Sequence, residues 1–572
     1  VRQHRTGVLV IGAGAAGLRT AIACADAGVQ VLVVGKRART DAHTVLAAGG
    51  INAALGTMDP QDDDAQHAAD TLHEGYWLGH PEIVQQLVEH SPRAVDELAG
   101  WGARFHREDD GRLSQRFFGA HRWRRTCFAG DYTGREIQHA LVRAAKARAV
   151  DWVDGLYVSR LLVGPDGVFG AVAFDLEDGE RHVIYADQVV LAAGGHTRAW
   201  RRSSSRRDEN CGDAFRLAAL AGARLQDMEL VQFHPTGMVD PEYASGTLVT
   251  EAVRGEGGIL RNVEGERYME RYDPVRKELS TRDRVALANY TEILEGRGTP
   301  GGGVLLDVTH LDPALVRERL PRMYRQFLDL SMLDITRQPM EVAPTAHYSM
   351  GGVLVDPATH ETDVPGLWCC GEAAAGLHGA NRLGGNSLAE CVVFGRLVGE
   401  HAAQRALEGA GPARDRGETT AALEELDDAL AVRGNEFARP LQRAVRDLLW
   451  ERCGVVRDEA GLDAGLRELD GIEEAAADVQ VSPDLAGYDD LAHLLDLRAL
   501  ILSARSTMAL ARERRESRGA HQRADHPDTD PGQQHNLTWT LDGTVDVRAI
   551  PEADAVVREK AGDLDVAGRL LE

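Results

Sequence analysis

The sequence predicts an α/β fold organised on a Rossmann-like nucleotide-binding core, and three stretches carry that expectation. The first is GVLVIGAGAAGLRTA, Gly7–Ala21. Its apolar run Val8–Ile11 suits a buried parallel strand, and Leu18–Ala27 suits a helix. Between them Gly12, Gly14 and Gly17 stand in GxGxxG spacing. Gly12 permits the tight turn, Gly14 lets a pyrophosphate approach the backbone, and Gly17 lets helix and strand close on each other. The helix N-terminus then faces the phosphates. The second stretch is DQVVLAAGG, Asp187–Gly195, an apolar strand whose closing glycines let its C-terminal edge meet a cofactor. The third is TDVPGLWCCGE, Thr362–Glu372, where Glu372 can accept hydrogen bonds from ribityl or ribose hydroxyls. The strand Val29–Val34 ends in Gly35-Lys36, without the acid an NAD site places there. That weighs against a plain NAD dehydrogenase and is compatible with FAD.

A chain of 572 residues accommodates about three or four domains. Its 61 glycines and 43% hydrophobic content suit a large α/β core. The net charge of −25 disfavours nucleic acid or an anionic membrane as a direct partner. The seven cysteines include no CxxC pair, so no iron–sulfur or zinc cluster of usual spacing is expected, and no metal site. Scattered thiols suit a reducing, cytoplasmic compartment. No apolar run of about 18 residues reads as a membrane span, and no signal peptide is visible. The sequons at Asn289 and Asn536 read as chance matches.

In chain order, AHTVLAAGGINAA, Ala42–Ala54, follows the second strand, and its small residues let backbone lie against a flat ring. Residues 61–115 are acidic with a helical pattern. Val153–Val163 and Val168–Leu176 read as a β-meander around the turn Gly164-Pro165-Asp166-Gly167. Trp200–Asn210 is a basic loop expected in solvent. Around Met228 the chain leaves for an inserted α+β capping domain, and PTAHYSMGG, Pro344–Gly352, brings it back. HGANRLGGNSL, His378–Leu388, then opens a helix, Leu388–Gly399, whose first amides can stabilise charge on a reduced flavin. The expected units are 1–227 and 344–407 for the FAD-binding domain, 228–343 for the cap, 408–515 for a helical bundle and 516–572 for a small C-terminal domain.

HTVLAAGGINAA resembles the segment of succinate dehydrogenase and fumarate reductase flavoprotein subunits that carries FAD covalently on histidine. The resemblance runs through most of the chain. It implies FAD bound through Gly12, Gly14, Gly17, Lys36, Thr44, Gly49, Gly50, Asp213, Glu372, Ser387 and Leu388, and attached at His43. It also implies interconversion of succinate and fumarate. His234, Thr250, His347 and Arg382 match the family's dicarboxylate clamp. Arginine supplies a planar fork suited to a carboxylate. The family moves the proton through an arginine fed by a glutamate and a second arginine, and Arg282, Glu251 and Arg254 match those positions. Arginine is otherwise almost always protonated, with a pKa above about 12. The segment SQRFFGAHRWRRTCFAGDYTG lies beside the family's pocket, and its GAHRWRRT departs from the family pattern. Phe118 stands where the related L-aspartate oxidases carry a glutamate for the substrate ammonium, and a phenyl ring cannot replace that acceptor. Electrons are expected to leave to a separate iron–sulfur subunit docked on a membrane anchor. The chain would then be peripheral on the cytoplasmic face of the inner membrane. The alternatives are an L-aspartate oxidase, a stand-alone soluble fumarate reductase, and a flavin-binding scaffold without turnover.

Overall fold

The computed structural model describes residues 1–409, 411–483 and 487–570. The core is a seven-stranded sheet. Arg2–Ile11 lies at its centre, parallel to Val31–Gly35 on one side and Arg181–Leu191 on the other. Val8, Leu9 and Val10 are wholly buried, as a strand covered on both faces requires. Leu367–Cys369 pairs parallel with Arg181–Leu191. Register aligns Ile11, Leu191 and Cys369. The three stretches read from the sequence therefore release their loops at one edge of one sheet.

The first helix is Ala15–Asp26, beginning three residues before the expected Leu18. It packs along Asn386–Glu408, the longer helix opened by HGANRLGGNS. The fit depends on glycines of the second helix. A Cβ on Gly395 would lie 2.6 Å from the Ala16 carbonyl oxygen, and one on Gly399 would lie 2.5 Å from that of Thr20. Both helices point their N-termini at the sheet edge where the loops gather.

The expected strand Val153–Val163 is two strands, Asp151–Asp154 and Leu156–Gly164. Gly155, at φ +80°, breaks them, so that the first extends the parallel sheet beside Val31–Gly35 and the second starts the meander. Within 61–115 the helices are Asp64–Glu74 and Pro81–Gly100, and the chain then turns extended at Gln115–Arg116.

Beyond Met228 a four-stranded antiparallel sheet forms from Val231–Met238, Met340–Ser349, Val304–Asp307 and Ile259–Arg261. The helix Arg282–Leu294 lies on its first strand, and the unit has its own apolar core around Val249, Val285 and Leu306. Helices Arg416–Ala431, Ala438–Arg452, Glu459–Ala476 and Asp489–Glu513 make up the helical region. The strand His535–Trp539 pairs with Leu225–Gln226, which pairs in turn with Gly352–Val353. The helix Ala555–Leu570 packs on Asp64–Glu74. Asn289 and Asn536, the two sequon asparagines, are buried.

Candidate active site

A cavity of about 1790 Å³ runs from the glycine turn at Gly12 to the face of the antiparallel sheet at His234 and His347. At the turn end the backbone is close-packed. A Cβ on Gly12 would lie 2.2 Å from the Ala192 carbonyl oxygen, and one on Gly17 would lie 1.8 Å from that of Gly12. Gly14 faces the open space, with Thr44 as its near neighbour. The Thr44 hydroxyl accepts a hydrogen bond from the Ala15 amide at 3.0 Å, tying HTV to the start of the first helix. Lys36 donates to Asp213 at 3.1 Å and to Asp496 at 2.9 Å. Burial disfavours that ammonium, but the two carboxylates outweigh it and hold its pKa well above the usual lysine value. The Tyr157 hydroxyl bridges the same two acids.

Gly50, at φ +152°, has no room for a Cβ beside Thr126. Asn52 donates to the Gly384 carbonyl at 2.8 Å and to Asn386 Oδ1 at 2.7 Å. It fixes the turn before the long helix, where Ser387 and Leu388 line the cavity. Glu372 accepts from the Ser349 amide at 3.1 Å and from Asn210 at 3.2 Å. These residues form a cradle of backbone, small side chains and two helix N-termini, which is the donor set an FAD requires.

The loop Trp200–Asn210 is not the solvated segment its charges suggest. Trp200, Ser203, Ser205, Glu209 and Asn210 are buried. Ser204 contacts His347 Nδ1 at 2.8 Å, and Glu209 contacts His43 Nδ1 at 3.0 Å. Among the loop's arginines, Arg206 lies beside Asp41 and Glu209, and Arg202 donates to the Gly301 and Gly302 carbonyls. Burial disfavours a charged His43, yet Glu209, followed by Glu372, raises its pKa above the usual value. With Nδ1 engaged, Nε2 is the ring nitrogen left for a further bond.

At the other end, His234, Thr250, Glu251, Arg282, His347 and Arg382 all line the cavity. His234 and His347 meet edge to face with ring centroids 5.4 Å apart. Burial and neighbouring groups, Arg282 beside His234 and His234 beside His347, press both far below the ordinary histidine value. Both rings are therefore neutral near pH 7. Arg282 Nε donates to Glu251 at 3.0 Å. Arg254 is fully buried behind Glu251, its Nη2 3.9 Å from the same carboxylate oxygen. Burial raises the Glu251 pKa, but Arg282 and Arg254 overcome it and hold it down to about 2. Arg382 donates to Ser387 Oγ and to Gln232 Oε1, both at 3.0 Å. Burial, then Arg282, lowers its pKa to about 10. The Phe118 ring lies against Gly49, where a Cβ would be 3.1 Å from Cζ, so the phenyl borders the cradle on the cavity wall.

Gln232, Ser204, Glu209, Asn210 and Asp496 belong to this site and were not singled out from the sequence. Gln232 accepts from both Arg282 and Arg382. Its signal was available, since residues two apart in a strand share a face and Gln232 stands two before His234. The others meet their partners only through distant parts of the chain.

The family description "FAD binding domain" matches residues 7–388, and "Fumarate reductase flavoprotein C-term" matches residues 442–554. A fumarate reductase (CoM/CoB) subunit of Methanothermobacter marburgensis is 41% identical over 92% of this chain and 95% of its own. The succinate dehydrogenase flavoprotein subunit of Rickettsia bellii is 38% identical over 94% of this chain and 93% of its own. Among solved structures, a point variant of E. coli quinol fumarate reductase FrdA superposes with a TM-score of 0.91 at 32% identity, covering 97% of this chain and 99% of that one. Mycobacterium smegmatis Sdh1 gives 0.89 at 35% identity, covering 100% and 98%. Among the described residues no helix is long and apolar enough to cross a membrane, and no cluster of metal-ligating side chains occurs. The chain thus belongs to the family of succinate dehydrogenase and fumarate reductase flavoprotein subunits, FAD-dependent oxidoreductases.

Proposed function

We propose that this chain interconverts succinate and fumarate at the His234–Arg382 end of the cavity, with Arg282 carrying the proton. FAD, when bound, supplies the acceptor or donor of the hydride. His234, Thr250, His347 and Arg382 hold the two carboxylates. Arg382 offers a cation with no carboxylate hydrogen-bonded to it among the described residues, and the two imidazoles are neutral and able to donate one N–H each. Glu251 and Arg254 return the proton to Arg282. The observation that carries this reading is the line Arg282–Glu251–Arg254 running from the cavity wall into the buried interior. Glu251 is the one carboxylate in that line, and its ionised state lets it accept a proton from either neighbour.

His43 is the attachment point for FAD, with Glu209 orienting its ring. Lys36, Asp213 and Glu372 serve the nucleotide and ribityl hydroxyls. Electrons pass to an iron–sulfur subunit that itself docks on a membrane anchor. The relatives' names as flavoprotein subunits support a multi-subunit assembly. Phe118 weighs against L-aspartate oxidation. Purified flavin-loaded chain mixed anaerobically with succinate, fumarate after prior reduction, and L-aspartate tests the reading. Bleaching by succinate and recolouring by fumarate are expected. Bleaching by L-aspartate alone overturns it.

A further inference from the structure

We propose that Tyr348 is a positioning residue for Arg382, its ring holding the guanidinium in place without neutralising it for an incoming carboxylate. The inference rests on the reading of Arg382 as the carboxylate clamp.

Arg382 lies over the Tyr348 ring, 4.4 Å from its centroid. Its remaining partners, Ser387 Oγ and Gln232 Oε1, are uncharged, and its Nε has no hydrogen-bond partner. Arg282 differs, being bonded to the Glu251 carboxylate at 3.0 Å. Arg282 and Arg382, both on the cavity wall, thus stand in two electrostatic settings. A carboxylate under Arg382 would occupy its fork by bidentate pairing and compete with the ligand. An aromatic face attracts the cation through its quadrupole and offers no acceptor pair.

The ring is itself fixed. Its hydroxyl donates to Glu390 Oε2, which also lies 3.0 Å from His378 Nε2. Tyr348, Glu390 and His378 are 7%, 2% and 2% exposed. Burial, then Glu390, raises the phenol's pKa well above its usual value, so the proton stays on oxygen. A phenol donating to a carboxylate is polarised toward its ring, which strengthens the face it presents to Arg382. Glu390 is engaged by Tyr348 and His378 and acts on the Arg382 guanidinium only at longer range.

The test uses flavin-loaded chain and malonate, with affinity read from the flavin absorption shift. Tyr348→Leu is expected to weaken malonate about tenfold or more, and to raise the succinate KM more than it lowers kcat. Tyr348→Phe keeps the face and should restore affinity to within about threefold of the parent. Phenylalanine, then its mono-, di- and trifluoro analogues at position 348, change the quadrupole at nearly constant volume. Affinity should fall stepwise along that series, by about tenfold in all. A flat series overturns the proposal, even if Tyr348→Leu loses its flavin. Arg382→Gln separates the two readings. Unchanged malonate affinity in that variant overturns the clamp, whereas a flat fluorine series with weakened Arg382→Gln overturns the role of Tyr348 alone.

Discussion

Glu251 binds Arg282 at 3.0 Å and stands 3.9 Å from Arg254, so one carboxylate is shared by a guanidinium at the cavity and another buried behind it. Arg282→Gln should keep dicarboxylate binding and lose turnover, because only the transition state needs the proton. Glu251→Gln should lose most turnover with little change in malonate affinity. Its pKa is depressed to about 2, so its ionised form, and the stability that form adds, persist above the ordinary carboxylate value and vanish only as pH falls toward 2. The acid limb of the residual turnover profile should therefore keep its shape in Glu251→Gln above pH about 5. Stopped-flow rates across pH, with malonate titrations alongside, check both statements.

Arg382→Gln should fail in a different way. It removes a cation that faces the ligand, and malonate binding should weaken by about 1.5–3 kcal/mol, the worth of a hydrogen bond to a charged group. Titration of the flavin spectrum measures it directly.

His43 predicts a colour test. Acid-precipitated holoprotein should stay yellow, and His43→Ser should release its flavin on the same treatment while binding it beforehand. Quantitative release of flavin from fully loaded parent protein overturns the attachment. Loading history needs control, since protein made without its maturation machinery can carry the cofactor non-covalently.

Phe118 predicts substrate choice. An ammonium beside the phenyl ring would lose water and gain no acceptor, at a cost of several kcal/mol. Succinate should reduce the flavin about a thousandfold faster than L-aspartate, or more. Phe118→Glu should narrow that ratio, and anaerobic bleaching rates for the two acids decide it.

Burial of His234 and His347 as neutral rings sets a pH dependence of stability. Their folded pKa values lie well below 6.5, so the unfolded chain binds more protons as pH falls through that value. Each should make stability rise with pH below about 6.5, by up to about 1.4 kcal/mol per pH unit. His43, with a raised pKa, acts in the opposite sense: its contribution is complete below 6.5 and is lost as pH rises through its folded value. His347→Gln should flatten the slope between pH 5 and 6, read from denaturant midpoints.

The strand-turn-helix at Gly12, the glycine-ended strands and the HGANRLGGNS helix start were legible because each is local. Spacing and composition within about twenty residues carry their physics. The inserted cap was legible through motifs that bracket it. Trp200–Asn210 was misread for the converse reason. Its charges look solvated in isolation, and only contacts with residues far along the chain, His43 and His347, turn it into a wall of the site. Asp496 is more remote still, since a helix of another region supplies it to Lys36. The break at Gly155 shows the limit of apolar patterning. Apolar residues run across both strands, and the left-handed glycine separates them.

The pairing of His535–Trp539 with Leu225–Gln226 bears on how the protein is made. Asn536 anchors that strand by donating to Asp227 at 2.6 Å and to the Leu78 carbonyl at 3.0 Å. The helix that follows braces Asp64–Glu74, whose Glu74 lines the cavity. On the ribosome the first two hundred residues supply every strand of the central sheet except Leu367–Cys369, but this support is absent until His535–Trp539 and the helix after it have emerged. A nascent chain therefore offers only an unbraced cradle. Capture of FAD in its final setting therefore follows the synthesis of His535–Trp539 and of the helix Ala555–Leu570, long after the glycine turn itself has been made.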